Sequence, residues 1–161
     1  KVREIQRQIA NRHEGVHLVV TVDCSMSDEI HNNSISNVLL GHRFAMSALE
    51  NIYSFPINSK HPEPERAYFT NPDRRVIKVV FRNIQGDWTP FVSNDEFSIE
   101  TENGFIEVEQ VVINPDNTIT IYLKDNVTSH AILHGLYGCN PRPTLKDDNE
   151  RCITPFSVLI E

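Results

Sequence analysis

Apolar residues recur at helical spacing in two segments of the first third of the chain. In residues 1–10, Val2, Ile5 and Ile9 fall on one stripe and predict an amphipathic helix. Residues 38–53 repeat the spacing and predict a second helix. Between them, residues 16–22 form a continuous apolar, β-branched run, which is typical of a strand buried on both faces of a parallel sheet. This order predicts the closing piece of an open α/β sheet domain over residues 1–55.

The pattern changes in the remainder of the chain. Residues 56–74 contain several prolines and little periodicity, which predicts a linker. Beyond them, short apolar runs separated by turn residues predict strands at residues 75–82, 97–101, 105–113, 118–123, 130–137 and 156–160. Residues 118–123 alternate as a half-buried strand should, and residues 114–117 suit a hairpin turn. These features predict a β-sandwich domain over residues 75–161.

Composition and charge limit the classes of partner that the chain is expected to bind. The 161 residues are 39% hydrophobic and 23% charged, as in ordinary globular proteins. The net charge of -7 provides no basic surface for nucleic acid or for an anionic membrane. No apolar run approaches the roughly 20 residues of a membrane-spanning helix. We therefore expect neither nucleic acid nor membrane as a partner. Because the first helical pattern begins at Lys1 without a preceding cap, we also expect the chain to be cut from a longer one.

The polar loop after residues 16–22 carries the candidate chemistry. Asp28 and His31 stand three residues apart, a spacing that puts both side chains on one side of a tight turn. A serine hydrolase needs a histidine that takes the proton of the hydroxyl nucleophile and a carboxylate that orients the histidine. Asp28 and His31 can supply these two groups. The spacing alone is also compatible with a solvated loop.

The segments around this pair resemble the last block of the SGNH hydrolases, in particular the branch of sialate O-acetylesterases and related acetylxylan esterases. In that branch a helix reads Arg-Glu-Ala-Gln, a strand ends in Asp, a loop reads Asp-Ile-His-Pro and the next helix opens Gly-x-Arg-x-Ala. The chain offers, in the same order, Arg3-Glu4-Ile5-Gln6, the run ending in Asp23, Asp28-Glu29-Ile30-His31 and Gly41-His42-Arg43-Phe44-Ala45. The tail is similar to the closing β-domain of the branch in its segments 134–141 and 154–156.

The resemblance implies a fold, a reaction and two site residues. The fold would be the C-terminal piece of an SGNH (flavodoxin-like) α/β/α sheet domain followed by a β-sandwich. The reaction would be hydrolysis of acetyl esters on sialic acid or plant polysaccharide, with His31 as general base and Asp28 as its orienting carboxylate. No metal or organic cofactor is implied. The location implied is periplasmic or extracellular.

The chain also departs from the branch. The Gly-Asp-Ser block with the Ser nucleophile is absent, as are the blocks that complete the oxyanion hole. The nucleophile would therefore lie on the N-terminal remainder of the hydrolase, which becomes a required partner beside the acetylated carbohydrate. Asn32 stands where the branch has proline, and an inactive homologue remains an alternative.

A second class of function is also open. The β-domain can be a non-catalytic module that binds carbohydrate or packs against a neighbouring domain. Trp88, Phe91 and Tyr137 are aromatic residues able to form a sugar-stacking platform there, while core packing is the other use of such rings.

Overall fold

The computed structural model describes residues 1–161. The chain divides into two compact units, Lys1–His61 and Pro62–Glu161, here called unit 1 and unit 2. The division falls inside the segment predicted as a linker.

Unit 1 contains two helices, α1 (Val2–Arg12) and α2 (Ser34–Asn51). The predicted strand at residues 16–22 is wrong, because this segment forms no strand and ends in a turn where the amide of Cys24 donates to the carbonyl of Thr21. A strand in a parallel sheet requires hydrogen-bonded neighbours on its edges, and residues 1–61 supply none. The apolar run is therefore present without the sheet that it would join.

The apolar face of α1 is exposed. Val2, Ile5 and Ile9, the predicted stripe, are 70%, 55% and 44% exposed, and the helix buries no residue. The longer α2 buries only Ser36. Most helical stability in proteins comes from packing an apolar face, so unit 1 carries helical surface that its own residues do not cover.

Unit 2 is built from two antiparallel four-stranded sheets. Their orders are β1-β2-β6-β5 and β4-β3-β7-β8. The strands are β1 (Glu63–Phe69), β2 (Val76–Arg82), β3 (Phe97–Thr101), β4 (Gly104–Ile106), β5 (Val108–Ile113), β6 (Ile119–Leu123), β7 (Ala131–Gly135) and β8 (Phe156–Leu159). A 3-10 helix, Asn94–Glu96, precedes β3. The prediction of an all-β second region is confirmed.

Alternating side chains form the core of unit 2. In β6, Ile119, Ile121 and Leu123 are buried, as the alternating sequence predicted. The opposite sheet contributes buried residues of β3, β7 and β8, and the rings of Phe81 and Phe156 meet edge to face between the sheets at a centroid distance of 6.0 Å.

Two predicted boundaries in unit 2 are wrong. Residues 63–69 of the predicted linker form β1, an edge strand that tolerates Pro64 at its start, where the register with β2 also shifts. The predicted strand 105–113 is two strands in different sheets. Its first residues close a hairpin with β3, and Val108 begins a strand that pairs with β6.

A buried carboxyl group ties a long loop to the start of β3. Glu96 is 2% exposed, and its Oε1 accepts hydrogen bonds from the amides of Thr144 and Leu145 and from the Thr144 hydroxyl. Its Oε2 is buried without a hydrogen-bond partner. Burial raises the pKa of Glu96 above its ordinary value, although the hydrogen bonds to Thr144 and Leu145 act in the opposite direction.

Candidate active site

Asp28 and His31, the two residues predicted from the sequence, are in direct contact. Nδ1 of His31 lies 2.8 Å from Oδ2 and 3.1 Å from Oδ1 of Asp28. Both side chains are largely exposed, at 68% for His31 and 55% for Asp28. A polar contact this exposed contributes little stability by itself, so the geometry must be fixed by the surrounding backbone.

The backbone of the turn holds Asp28 in place. Its Oδ1 accepts hydrogen bonds from the amides of Ile30, at 2.9 Å, and His31, at 2.8 Å. Aspartate commonly caps a turn in this way through the amides two and three residues ahead. The amide of Ile30, and then the side chain and amide of His31, lower the pKa of Asp28 below its ordinary value. Asp28 is therefore ionised at neutral pH.

The contact also sets the tautomer of His31. An ionised carboxylate only accepts hydrogen bonds, so Nδ1 carries the proton that is shared with Asp28. In the neutral ring, Nε2 then bears the lone pair. This is the state of a general base that is oriented by a carboxylate.

The loop is attached to the start of α2. Asn33 is the N-cap of the helix, and its Oδ1 accepts a hydrogen bond from the amide of Ser36 at 2.8 Å. The buried hydroxyl of Ser36 accepts from the amide of Ser25 at 2.7 Å, and the amide of Asn33 donates to the carbonyl of Ser25 at 3.0 Å. These hydrogen bonds join the two ends of the loop that carries Asp28 and His31.

An ion pair further along α2 anchors the segment that leads into the loop. The two terminal nitrogens of Arg43 each donate to one carboxylate oxygen of Asp23 at 2.7 Å, and one of them also donates to the carbonyl of Val20 at 2.7 Å. Burial acts to raise the pKa of Asp23, but the hydrogen bond and charge of Arg43 outweigh it and the pKa is lowered. The sequence predicts no role for this pair, although both residues stand in the motifs of the resemblance.

Ser27, on the same turn, does not engage the ring of His31. The hydroxyl of Ser27 donates to the backbone carbonyl of His31 at 3.2 Å, and the amide of Ser27 donates to the same carbonyl. The Ser27 side chain thus closes the turn. The loop presents a histidine held against a carboxylate, and both their catalytic roles and the nucleophile outside the chain remain predictions.

His134 and the predicted platform residues Trp88, Phe91 and Tyr137 lie in unit 2. His134 is buried, with Nδ1 2.7 Å from the Ser157 hydroxyl and Nε2 2.9 Å from Glu100. Trp88 is buried, while Phe91 is 63% exposed, so core packing explains only the first of these two rings.

Tyr137, the third predicted platform residue, is 39% exposed and lies against His134 at a ring-centroid distance of 4.4 Å. Three histidine, cysteine or acidic side chains do not converge anywhere in the structure in a way that would hold a metal ion. Neither helix has the length and apolar character needed to cross a bilayer.

Comparisons with known proteins show similarity at the level of fold. No protein-family model matches the chain, and no curated protein matches it. A carbohydrate acetylesterase from Xanthomonas citri is similar in structure, with a TM-score of 0.66 and 18% identity over 84% of this chain and 31% of that one.

Bacterial surface-layer structures are similar as well. The N-terminal part of the S-layer protein SbsC has a TM-score of 0.50 at 15% identity, over 80% of this chain and 29% of that one. Domains 1–6 of SbsC have a TM-score of 0.51 at 15% identity, and this chain spans 17% of their length. This chain thus spans less than a third of each structure. At identities this low, the structural similarity establishes a shared β-rich fold and not a shared function. That fold occurs both in an acetylesterase and in a surface-layer protein.

Proposed function

We propose that this chain supplies the general base and its orienting carboxylate to a carbohydrate acetyl-ester hydrolase whose serine nucleophile lies on another segment. The observation that carries the proposal is the contact between the Asp28 carboxylate and Nδ1 of His31, on a turn that the backbone fixes in place. The fold shared with a carbohydrate acetylesterase supports the choice of substrate class. An SGNH-type sheet, completed by strands of that other segment, is part of the proposal.

The chemistry follows from the tautomer of His31. Nε2 takes the proton of the serine hydroxyl while the serine oxygen bonds to the acetyl carbon. Asp28 stabilises the imidazolium that forms. The tetrahedral intermediate then breaks its bond to the sugar oxygen, which receives the proton from Nε2 and leaves as an alcohol. Water attacks the acetyl-enzyme with His31 again as base, which releases acetate and restores the serine.

The surface around Asp28 and His31 fits a site that another segment completes. Ile30, Ile35 and Val38 are 78%, 81% and 75% exposed on the loop and on the start of α2. Large apolar side chains that are exposed so close together in sequence favour an interaction surface. A segment that covers them would also remove water from His31, which strengthens its electrostatic interaction with Asp28. The partner is the N-terminal remainder of the hydrolase, and the surface-layer likeness supports a periplasmic or extracellular location.

A comparison of the isolated chain with the native protein tests whether the nucleophile lies on another segment. The isolated 161-residue chain is expected to hydrolyse an aryl acetate no faster than its His31→Ala variant, because it lacks a nucleophile. Intact mass and a denaturing gel of the native protein should then show a longer polypeptide or a second one with a Gly-Asp-Ser block, and activity in that sample. Esterase activity of the isolated chain that survives His31→Ala would contradict the proposal.

A non-catalytic β-sandwich module is the second candidate function. It is favoured by the surface-layer structures, which share the fold at TM-scores of 0.50 and 0.51. Under this alternative, unit 2 binds carbohydrate or packs against a neighbouring domain, and unit 1 has no catalytic role. Saturable glycan binding together with absence of esterase activity in the complete protein would support the module over the hydrolase.

A further inference from the structure

We infer that unit 2 carries a binding groove for a neutral oligosaccharide, here called the Phe91 groove. It lies between the loop after β2 and the turn that joins β5 to β6, and its volume is about 700 Å³. Ligand sites usually measure about 300–1,000 Å³. The inference gives the second candidate function a site and a ligand class, and it does not depend on Asp28 or His31.

The lining of the groove is amphipathic. Phe91 offers a ring that is 63% exposed, and Val111 and Ile113 lie on the β5 side. Asp87 and Asn117 are polar residues that line the same groove. A pyranose ring has apolar C–H faces that stack on aromatic rings and a rim of hydroxyls that pair with such polar groups. This mixture suits a sugar better than a wholly apolar ligand.

The walls of the groove are held together before any ligand binds. Nε1 of Trp88 donates to the carbonyl of Asn117 at 2.8 Å. The Asn117 side chain donates to the carbonyl of Gly86 at 3.1 Å and to Asp87 at 3.2 Å. These three bonds connect the loop to the turn. Because a groove that is already ordered loses little conformational entropy on binding, its affinity for a flexible glycan is higher.

The charge of the groove selects against anionic ligands. Asp87 is the charged residue among those that line it, and the whole chain has a net charge of -7. A phosphate or a sialic acid carboxylate would be placed near this like charge without a compensating cation. Neutral oligosaccharides of the plant cell wall avoid this repulsion. The groove therefore favours the plant polysaccharide over the sialic acid as a ligand class.

Isothermal titration of the full chain with cellohexaose, xylohexaose and 3′-sialyllactose tests the inference. We expect one of the two neutral hexasaccharides to bind with a dissociation constant of about 1 mM or tighter, and 3′-sialyllactose at least about tenfold more weakly. Phe91→Ala should weaken binding by at least about tenfold. Phe105→Ala is the matched control, because Phe105 is similarly exposed at 58% but lies outside the groove, and it should bind as the wild type does.

Asp87→Asn provides the second variant and should bring the affinity for 3′-sialyllactose closer to that for the neutral probes. Thermal melts verify that each variant is folded. The inference is overturned if no probe binds, if Phe91→Ala binds as the wild type does, or if Phe105→Ala loses affinity equally. Binding of a proline decapeptide in place of the glycans would also overturn it and identify a peptide groove. None of these outcomes depends on the esterase assay, so the inference and the proposed hydrolase can fail separately.

Discussion

Replacement of Arg43 by methionine probes how the loop with Asp28 and His31 is anchored. Methionine keeps an apolar stem of similar length but removes the guanidinium group. The wild-type side chain makes two hydrogen bonds to Asp23 and one to Val20, each at 2.7 Å. The side chains of Arg43 and Asp23 are 10% and 9% exposed. The variant therefore leaves a mostly buried carboxylate without its counter-charge.

We expect the Arg43→Met variant to lose a large part of the free energy of unfolding of unit 1. Removal of one partner of a buried ion pair typically costs about 3–5 kcal/mol. Because both side chains keep some contact with water, we expect a value near the lower end, about 3 kcal/mol. Whole domains are stable by only about 5–15 kcal/mol. The double variant Asp23→Asn, Arg43→Met removes the orphaned charge and should recover at least about 1 kcal/mol of that loss.

The two units offer separate probes for the assay. Both α-helices lie in unit 1, so urea unfolding followed by helical circular dichroism reports on it. The single tryptophan, Trp88, lies in unit 2, and its fluorescence reports on that unit. The Arg43→Met change should lower the helical transition. A loss below about 1 kcal/mol in that transition, or a double variant less stable than the single one, would refute the reasoning.

Two further predictions concern unit 2 and can be measured through Trp88 fluorescence. The pKa of Glu96 is raised in the folded state, so its contribution to stability is present below the ordinary glutamate pKa and is lost as pH rises through the folded pKa. Wild type should therefore lose stability relative to Glu96→Gln as pH rises above the ordinary glutamate pKa, and parallel pH profiles would contradict this. Gly86→Ala should destabilise unit 2 by about 1–3 kcal/mol, because φ is +72° and an added Cβ would collide with the side chain of Asp148. Gly15→Ala is the matched control, because its φ of +77° is nearly the same but no atom lies within 4 Å of the added Cβ; it should cost unit 1 less, as read by helical circular dichroism, and equal losses in the two variants would count against the steric argument.

The sequence was a good guide to structure that short-range patterns determine. The alternation in residues 118–123 predicted the burial of β6, and the turn at residues 114–117 closes where expected, with the amide of Asn114 donating to the carbonyl of Thr118. Both features depend on neighbouring residues. The pairing of Asp28 with His31 is local in the same sense, so their spacing was enough to predict contact, while their catalytic role stays a prediction.

Structure that depends on distant partners was harder to predict. Residues 16–22 have the composition of a buried parallel strand, but a strand forms only with neighbours that the chain does not supply. Residues 63–69 were missed because prolines and charges concealed an edge strand. The Asp23–Arg43 anchor joins residues 20 positions apart. The Phe91 groove lies between a loop and the turn of another strand pair. Neither feature produces a periodic pattern in the sequence from which it could be predicted.

The proposed role of His31 as general base is tested most directly by turnover of an acetylated oligosaccharide. The measurement compares three forms of the complete protein that contains this chain, namely wild type, His31→Ala and His42→Ala. His42 is an exposed histidine on α2 and serves as the matched control. If His31 is the general base, His31→Ala lowers kcat by at least about a thousand-fold, while His42→Ala stays within about threefold of wild type. Near-normal turnover of the His31→Ala protein would contradict the account.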